Sequence, residues 1–158
     1  MLKALFAGTF DPPTFGHIKT ILRIASFCDL IVGVGENTRK NKPLLTLDER
    51  IETIQKEVSS LSNIQVASFT GLAINFAKEQ GVHVLVRGIR SGEDLSYEME
   101  MARINRKLSG GIETLFLMAE DFVSASLIRE LALKGASLKD LVPSHIEQTY
   151  QHRLQKGN

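Results

Sequence analysis

Strand-like and helix-like segments alternate along this chain of 158 residues. Apolar residues three or four positions apart, as at Ile18, Ile21, Leu22 and Ala25, are typical of helices. Between such stretches lie short apolar runs that are typical of buried strands: Leu2–Ala7, Leu30–Val34, Ile64–Phe69, Val82–Val86 and Glu113–Met118. A β-α-β-α order predicts a parallel sheet with helices on both faces. We therefore expect an α/β fold, a single domain over residues 1–158 with a doubly wound, five-stranded parallel sheet.

The remaining helices are predicted from caps and periodicity. Thr46 followed by Glu49 has the form of a capping box and begins a helix. Gly81 is expected to close another helix, whose apolar face includes Phe76 and Ala77. Further helices are predicted over Asp94–Leu108 and Ser124–Leu133, and the C-terminus is expected to be mostly helical over Lys139–Leu154.

Composition excludes several classes of partner. The 19 basic residues nearly balance the 18 acidic ones, so no general field attracts nucleic acid or a membrane surface. No apolar run approaches the roughly 20 residues that span a bilayer. The single cysteine, Cys28, has no intrachain partner, and we expect a small buried thiol. These features, with a chain that starts directly in a strand, favour a cytoplasmic protein.

Three unusual segments follow predicted strands: Gly8–His17, Glu36–Pro43 and Arg87–Arg90. In doubly wound sheets, ligands bind outside the carboxyl ends of the strands, where the strand order reverses. The agreement of three segments predicts one ligand site at that edge of the sheet.

The first of these segments joins a strand to the first turn of a helix. We expect Gly8 to let the backbone bend and the two following prolines to stiffen it. A helix start offers unpaired N–H groups and partial positive charge, which suits phosphate, and Thr9 adds a hydroxyl. His17 stands in the same field, which disfavours its protonated form, so we expect a neutral ring that donates one hydrogen bond. The alternative is a surface histidine that only caps the helix.

Two arginines make the third segment a candidate anion site. Arg87 and Arg90 can each hold phosphate oxygens in a bidentate way, and Gly88 between them allows close approach of a ligand. The alternative is an exposed pair that forms salt bridges with Glu93 or Asp94.

For each of the other candidate site residues, a simple structural or solvent-exposed role is the alternative to ligand binding. Ser124 and Ser126 begin a helix after the last strand, where they form a second phosphate cradle or simply an N-cap. Lys40 and Lys42 in the polar loop are phosphate ligands or solvated lysines, and Glu98 is a ligand contact or an exposed helical residue. His83 is expected to be structural, and His145 and His152 to be surface groups.

The absence of several motifs narrows the types of reaction that the sequence favours. The sequence has no P-loop, no GxGxxG fingerprint, no zinc-spaced Cys/His set and no nucleophile elbow, so nothing favours covalent catalysis. Two anion-binding helix starts, two arginines and a neutral donor favour the attack of one phosphate on another. A pyrophosphate leaving group needs a divalent cation, and we expect Mg²⁺ to arrive with the nucleotide rather than at a resident metal site.

The segment from Gly8 to His17 resembles the T/HxGH signature of the nucleotidyltransferase superfamily. The whole chain is similar to bacterial phosphopantetheine adenylyltransferases through stretches that follow in the family's order: Lys42–Arg50, Asn75–Ala77, Val86–Arg90, Asp94–Met99, Asn105–Arg106 and Ser124–Arg129. The resemblance implies a Rossmann-like fold. It also implies transfer of AMP from ATP to 4′-phosphopantetheine by direct in-line attack, giving dephospho-coenzyme A and pyrophosphate.

The resemblance also implies roles for individual residues. His17 would stabilise the transition state, Thr9 would touch both substrates, and Arg87 would bind phosphopantetheine with Ala73 and with Asn41 or Lys42. The remaining ATP contacts would come from Phe10, Gly88, Ile89, Arg90, Glu98, Glu120, Asp121, Phe122, Val123, Ser124, Ala125 and Ser126. The family further implies a homohexamer, and coenzyme A or dephospho-coenzyme A as product or feedback ligand.

The sequence departs from the family's pattern at three places. Asn41 stands where the family has a phosphate-binding lysine, so Lys40 or, preferably, Lys42 is expected to replace it. Ala73 offers only its backbone and a methyl group, and Ala125 removes one hydroxyl from a serine run. The rival functions are a cytidylyltransferase, a nicotinamide-mononucleotide adenylyltransferase and a nucleotide-binding module without turnover.

Overall fold

The computed structural model describes residues 2–36, 43–119 and 123–156. Its sheet has five strands in the order β3-β2-β1-β4-β5, and every neighbouring pair is parallel. The strands are β1 (Lys3–Gly8), β2 (Asp29–Gly35), β3 (Ile64–Phe69), β4 (Val84–Ile89) and β5 (Glu113–Met118). The predicted five-stranded parallel sheet is therefore confirmed.

Six helices connect and follow the strands within the described ranges. They are α1 (Phe15–Ala25), α2 (Leu47–Glu57), α3 (Ala73–Glu79), α4 (Gly92–Ser109), α5 (Ala125–Leu133) and α6 (Ser144–Lys156). The capping box predicted at Thr46 is present, because the Thr46 side chain accepts from the Glu49 N–H and the Glu49 carboxylate accepts from the Thr46 N–H. None of the described helices has the length and apolar content needed to cross a bilayer.

The central strand β1 separates two apolar layers. Because side chains alternate along a strand, Phe6 packs in a cluster with Ile21 of α1 and Ile54 of α2. Its neighbour Leu5 packs on the other face, in a cluster with Ile74 of α3. Both faces of the sheet are thus covered by helices, as the alternating sequence predicted. A third buried cluster joins α5 and α6 to Leu45: Leu45, Ile128, Ala132, Leu138, Val142, Ile146 and Tyr150.

Two element boundaries differ from the predictions. β4 does not end at Val86 but continues to Ile89, because Arg87 and Gly88 are paired with β5 and lie inside the strand. The C-terminal helix does not begin near Lys139 but at Ser144. Asp140 has a φ of 63°, and a residue in this left-handed conformation interrupts a right-handed helix.

The positions of two histidines also differ from the predictions, although His83 has the structural role that was expected. His83 lies before β4 rather than inside a strand, and its Nδ1 accepts the Lys3 N–H at 3.0 Å. His145 is partly buried rather than a free surface group, since its Nε2 lies 3.0 Å from the Thr53 hydroxyl. Its ring therefore joins α6 to α2.

Candidate active site

A cavity of about 600 Å³ opens at the carboxyl ends of β1 and β4. The chain runs from β1 outward through β2 and β3 on one side, and from β4 to β5 on the other, so the strand order reverses between β1 and β4. Most of the residues singled out from the sequence line this cavity: Thr9, Phe10, His17, Arg87, Gly88, Arg90, Glu98, Val123, Ser124, Ala125 and Ser126. The fold thus brings the predicted site together.

The turn after β1 bends at Phe10 rather than at Gly8. Phe10 has a φ of 51°, which is unfavourable for a residue with a side chain, whereas Gly8 still pairs as part of β1. The Phe10 ring folds back over Gly8, so that a Cβ at Gly8 would lie 3.2 Å from the ring. Gly8 is therefore required for close approach and not for backbone freedom, which corrects the prediction.

His17 is held by an unusual capping box at the start of α1. The Thr14 side chain accepts from the His17 N–H at 3.2 Å, and the Nδ1 atom of His17 accepts from the Thr14 N–H at 3.1 Å. Because Nδ1 accepts from a backbone amide, the proton of the neutral ring resides on Nε2. The ring thus keeps one N–H donor, on a residue that lines the cavity.

The surroundings of His17 keep its ring uncharged. Burial and the nearby positive charge of Arg90 lower the pKa of His17 to about 4. The Phe10 ring packs edge-on against the imidazole, with 5.1 Å between ring centroids. The lowered pKa agrees with the predicted neutral ring, although its main cause is burial instead of the helix field.

Arg87 forms a bidentate ion pair with Glu98. Its Nε and Nη2 atoms donate to the two carboxylate oxygens at 2.8 and 2.6 Å, and its Nη1 atom donates to the Ala7 carbonyl at 3.0 Å. The hydrogen bond to Glu98 raises the pKa of Arg87, so the guanidinium stays charged. About 38% of the Arg87 side chain remains exposed, against 13% for Glu98, which leaves the arginine open to the cavity.

Arg90 pairs with Asp94, the alternative considered for this arginine. The Nε atom of Arg90 donates to Oδ2 of Asp94 at 3.1 Å, across one turn at the start of α4. Both side chains are partly exposed and line the cavity. No Cβ at the neighbouring Gly88 would meet a described protein atom within 4 Å, so the space beside both arginines is open.

The start of α5 forms another wall of the cavity. Ser124 is the N-cap, and its hydroxyl accepts the Leu127 N–H at 3.1 Å, as the capping alternative predicted. Ala125 and Ser126 follow in the first turn and line the cavity. The cavity is therefore bordered by the N-termini of two helices, where backbone amides favour anions.

Several predicted site residues lie elsewhere. Ile89 is buried in β4, and Ala73 begins α3; neither lines the cavity. The remaining predicted site residues lie outside the described part of the chain: Lys40, Asn41, Lys42, Glu120, Asp121 and Phe122.

Three charged residues at the site were missed by the sequence analysis. Asp11, Arg50 and Arg129 line the cavity, and the first two are only 5% and 2% exposed. The Nη1 atom of Arg50 donates to the carbonyls of Thr9 and Gly35, which ties together the carboxyl ends of β1 and β2, and burial lowers the pKa of Arg50. A signal was present, because Arg50 is four residues before the apolar Ile54 on α2.

The described carboxylates of the cavity pair with arginines rather than forming a cluster for a metal. Asp11, Asp94 and Glu98 each pair with a guanidinium, and the described part of the chain holds no group of three His, Cys, Asp or Glu side chains suited to a metal ion. These residues do not fit a resident metal site.

Comparisons with known proteins agree with this geometry. The family model described as cytidylyltransferase-like matches residues 5–131. A solved structure from Vibrio parahaemolyticus, described as a nicotinate-nucleotide adenylyltransferase, has the same fold with a TM-score of 0.68, at 14% identity over 96% of this chain and 99% of that one. Fold and site thus define a nucleotidyltransferase, and the chain belongs to the cytidylyltransferase-like family.

Relatives with closer sequences narrow the assignment. A phosphopantetheine adenylyltransferase of Dehalococcoides mccartyi is 40% identical over 155 residues, which cover 96% of this chain and 97% of the relative. Another phosphopantetheine adenylyltransferase, from Thermodesulfovibrio yellowstonii, is 39% identical over 156 residues, with 96% and 97% covered. Within its family, the chain belongs to the phosphopantetheine adenylyltransferases.

Proposed function

We propose that the chain transfers AMP from ATP to 4′-phosphopantetheine in the cavity between α1, β4 and α5, giving dephospho-coenzyme A and pyrophosphate. The phosphate of phosphopantetheine attacks the α-phosphorus of ATP directly, and pyrophosphate leaves from the opposite side. No covalent enzyme intermediate is formed. The cavity volume of about 600 Å³ is within the usual range for sites that hold small ligands.

The observation that carries this proposal is the neutral His17 ring. Both reactants are anions, and negative charge accumulates on the oxygens of the α-phosphate as the new bond forms. An Nε2–H donor that is already oriented by Thr14 stabilises this charge without reorganisation. Such a donor contributes about 2.7–4 kcal/mol to lowering the barrier, by analogy with oxyanion holes.

The charged walls of the cavity suggest how the two substrates are arranged. We assign the phosphate of phosphopantetheine to Arg87, whose guanidinium is fixed by Glu98 and the Ala7 carbonyl and is still partly exposed. The phosphates of ATP are assigned to Arg90 and to the first turn of α5, at Ser124 and Ser126. In this arrangement His17 lies where the two phosphates meet.

Mg²⁺ enters this reaction as part of the substrate. With the cavity carboxylates paired to arginines, the cation is carried by the triphosphate and neutralises the leaving pyrophosphate. Product release returns it to solvent with pyrophosphate.

A direct assay of substrate choice tests the proposed function. The purified protein is mixed with Mg·ATP and, in separate reactions, 4′-phosphopantetheine or nicotinamide mononucleotide, and with Mg·CTP and glycerol phosphate. We expect pyrophosphate release with phosphopantetheine only, and dephospho-coenzyme A as the second product. Turnover with only one of the other acceptors would contradict the proposal, and so would the absence of turnover with all of them.

The proposed assembly is the homohexamer that the family resemblance implies, and one uncovered surface of the single chain supports contacts between subunits. The 18-residue helix α4 has no buried residue, and it lies beside β5, an edge strand of the sheet. Seven exposed apolar side chains form this β5–α4 surface: Tyr97, Met99, Ile104, Leu108, Leu115, Phe116 and Met118. Exposed apolar side chains concentrated on one helix and the adjoining edge strand are typical of an interface between subunits.

The cytoplasm is the proposed location, since ATP is a substrate and the buried Cys28 is a free thiol. Dephospho-coenzyme A leaves as the product, and coenzyme A is the proposed feedback ligand because it shares the phosphopantetheine arm.

A further inference from the structure

We infer that Asp11 is a positioning residue. It fixes α5 and the Leu44–Leu45 segment against the turn between β1 and α1, the helix that carries His17. The inference rests on the proposed function for its kinetic consequences. Asp11 follows Thr9 by two residues, and its side chain is 4% exposed. A carboxylate removed from water this completely is stable only when several donors surround it.

Four donors from three parts of the chain meet at this carboxylate. Oδ1 accepts the Leu45 N–H at 3.0 Å and lies 3.5 Å from the Tyr150 hydroxyl. Oδ2 accepts the Leu44 N–H at 3.2 Å and the Arg129 Nη1–H at 3.1 Å. Burial and the charge of Asp11 raise the pKa of Tyr150, so its hydroxyl remains a donor. The Asp11 side chain therefore joins the turn between β1 and α1 to α5, to α6 and to the segment before α2.

The contact with Arg129 has the most direct bearing on the reaction. Arg129 lies on α5 one turn after Ser126, and both residues line the cavity. The ion pair therefore links the wall that carries Thr9 and His17 to the wall formed by α5. A shift of about 1 Å between groups that must be aligned can cost about 100-fold in rate. Asp11 acts by holding that separation, since its own oxygens are occupied by protein donors.

A double-mutant cycle tests this role. Asp11→Asn keeps the shape of the side chain but removes the charge that Arg129 requires, and Arg129→Met removes the other partner. We expect each single change to lower kcat/KM for ATP by about 10- to 100-fold. The double variant should be no slower than the slower single variant, because either change already breaks the same link.

Further readouts separate positioning from general stability. Glu130→Gln is the matched control, since Glu130 lies on α5 like Arg129 but forms only an exposed ion pair with Lys134. We expect kinetic constants within about twofold of wild type. Arg129→Lys retains a cation for Asp11 and should recover part of the activity that Arg129→Met loses. Kinetics are compared only among variants with cooperative thermal unfolding above the assay temperature. If Asp11→Asn does not fold, Tyr150→Phe and Arg129→Lys probe the same carboxylate.

Three results would overturn the inference. The first is wild-type kinetics in Asp11→Asn. The second is multiplicative losses in the double variant, which would make Arg129 an independent ligand of the substrate. The third is a loss in Asp11→Asn that excess Mg²⁺ restores, which would make Asp11 a metal ligand. Failure of the proposed function is distinguishable, because wild type and Glu130→Gln would then also lack turnover. The coupling of Asp11 and Arg129 would still be measurable from unfolding free energies.

Discussion

At the scale of single residues, the site depends on keeping one ring uncharged among cations. The Nδ1 atom of His17 accepts from the Thr14 N–H, so the ring proton is on Nε2. Burial and the charge of Arg90 disfavour a second proton on the ring. A protonated ring would attract the phosphates in the ground state as well as in the transition state. A neutral donor acts more selectively on the charge that develops during the reaction.

The lowered pKa of His17 makes stability depend on pH. The unfolded chain binds a proton at His17 near the ordinary pKa of about 6.5, whereas the folded protein does so only near pH 4. The stabilising contribution is therefore complete above about pH 6.5 and is lost as the pH falls toward 4. We expect wild type to lose up to about 2 kcal/mol more than His17→Gln between about pH 7.5 and pH 5, measured by urea unfolding.

The control for this measurement is His152→Gln, which removes an exposed histidine of α6. It should follow the wild-type pH dependence. If His17→Gln and wild type lost stability in parallel on acidification, the pKa of His17 would not be lowered by the fold.

The positions of several charged site residues could be predicted from the sequence, but their partners could not. His17, Arg87 and Arg90 could be predicted because they lie near the carboxyl ends of strands, where a parallel sheet collects its ligand groups. The pairing of Arg87 with Glu98 joins residues 11 positions apart, and the contacts of Asp11 span up to 139. Such partners depend on tertiary packing, which local patterns do not encode.

At the scale of elements, α1 and α2 both begin with a capping box, but the two capping boxes have different roles. Thr46 and Glu49 form the usual capping box of α2, and Thr14 and His17 form its counterpart in α1. The first was predicted, because threonine followed three residues later by glutamate is a familiar signal. For the second, the sequence offered capping by His17 only as an alternative, that of a surface histidine, because histidine is uncommon in that position. In the structure the capping ring belongs to a residue that lines the cavity.

Replacing the two cap residues separates their stabilising and catalytic roles. We expect Thr14→Ala and Thr46→Ala to lower the free energy of unfolding by about 0.5–2 kcal/mol each, since both lose a side-chain cap. Only Thr14→Ala should also lower kcat, by about tenfold, because the ring of His17 loses a neighbour that orients it. Urea unfolding and steady-state kinetics on both variants check this expectation. Equal kcat values in the two variants would contradict it.

Element boundaries were predictable where periodicity was strong. β3 and β5 begin and end where the apolar runs do. β4 continues through Arg87 and Gly88 because hydrogen bonding to β5 extends it beyond its apolar residues. In the same way, the start of α6 depends on the left-handed Asp140, a conformation that its sequence neighbours do not specify.

At the scale of the whole molecule, the cavity and the exposed apolar surface lie in different parts of the fold, although α4 contributes residues to both. The cavity lies where the strand order reverses, between β1 and β4. The β5–α4 surface lies at the edge of the sheet and includes residues of α4 distinct from Asp94 and Glu98. Since α4 also carries Asp94 and Glu98, subunit contacts on this helix would support the arginines of the site.

Introducing a charge on this surface tests the proposed assembly. Ile104 is 49% exposed on α4, and Leu133 is 64% exposed at the end of α5. We expect wild type to have the mass of about six 17.5 kDa subunits in sedimentation experiments, and Ile104→Asp to form smaller species because a buried charge is costly. The control Leu133→Asp should keep the wild-type mass. A monomeric wild type, or an Ile104→Asp variant of unchanged mass, would contradict the assembly.

The most direct test of the central claim is the effect of His17→Ala on turnover and on ATP binding, measured separately. Steady-state kinetics with phosphopantetheine give kcat, and calorimetry gives the Kd for ATP in the same preparation. We expect kcat to fall by about 100- to 1,000-fold while the Kd for ATP changes by less than about threefold, since the Nε2–H acts on charge that exists only in the transition state. Equal losses in kcat and in ATP affinity would contradict this claim and make His17 a ground-state binding residue.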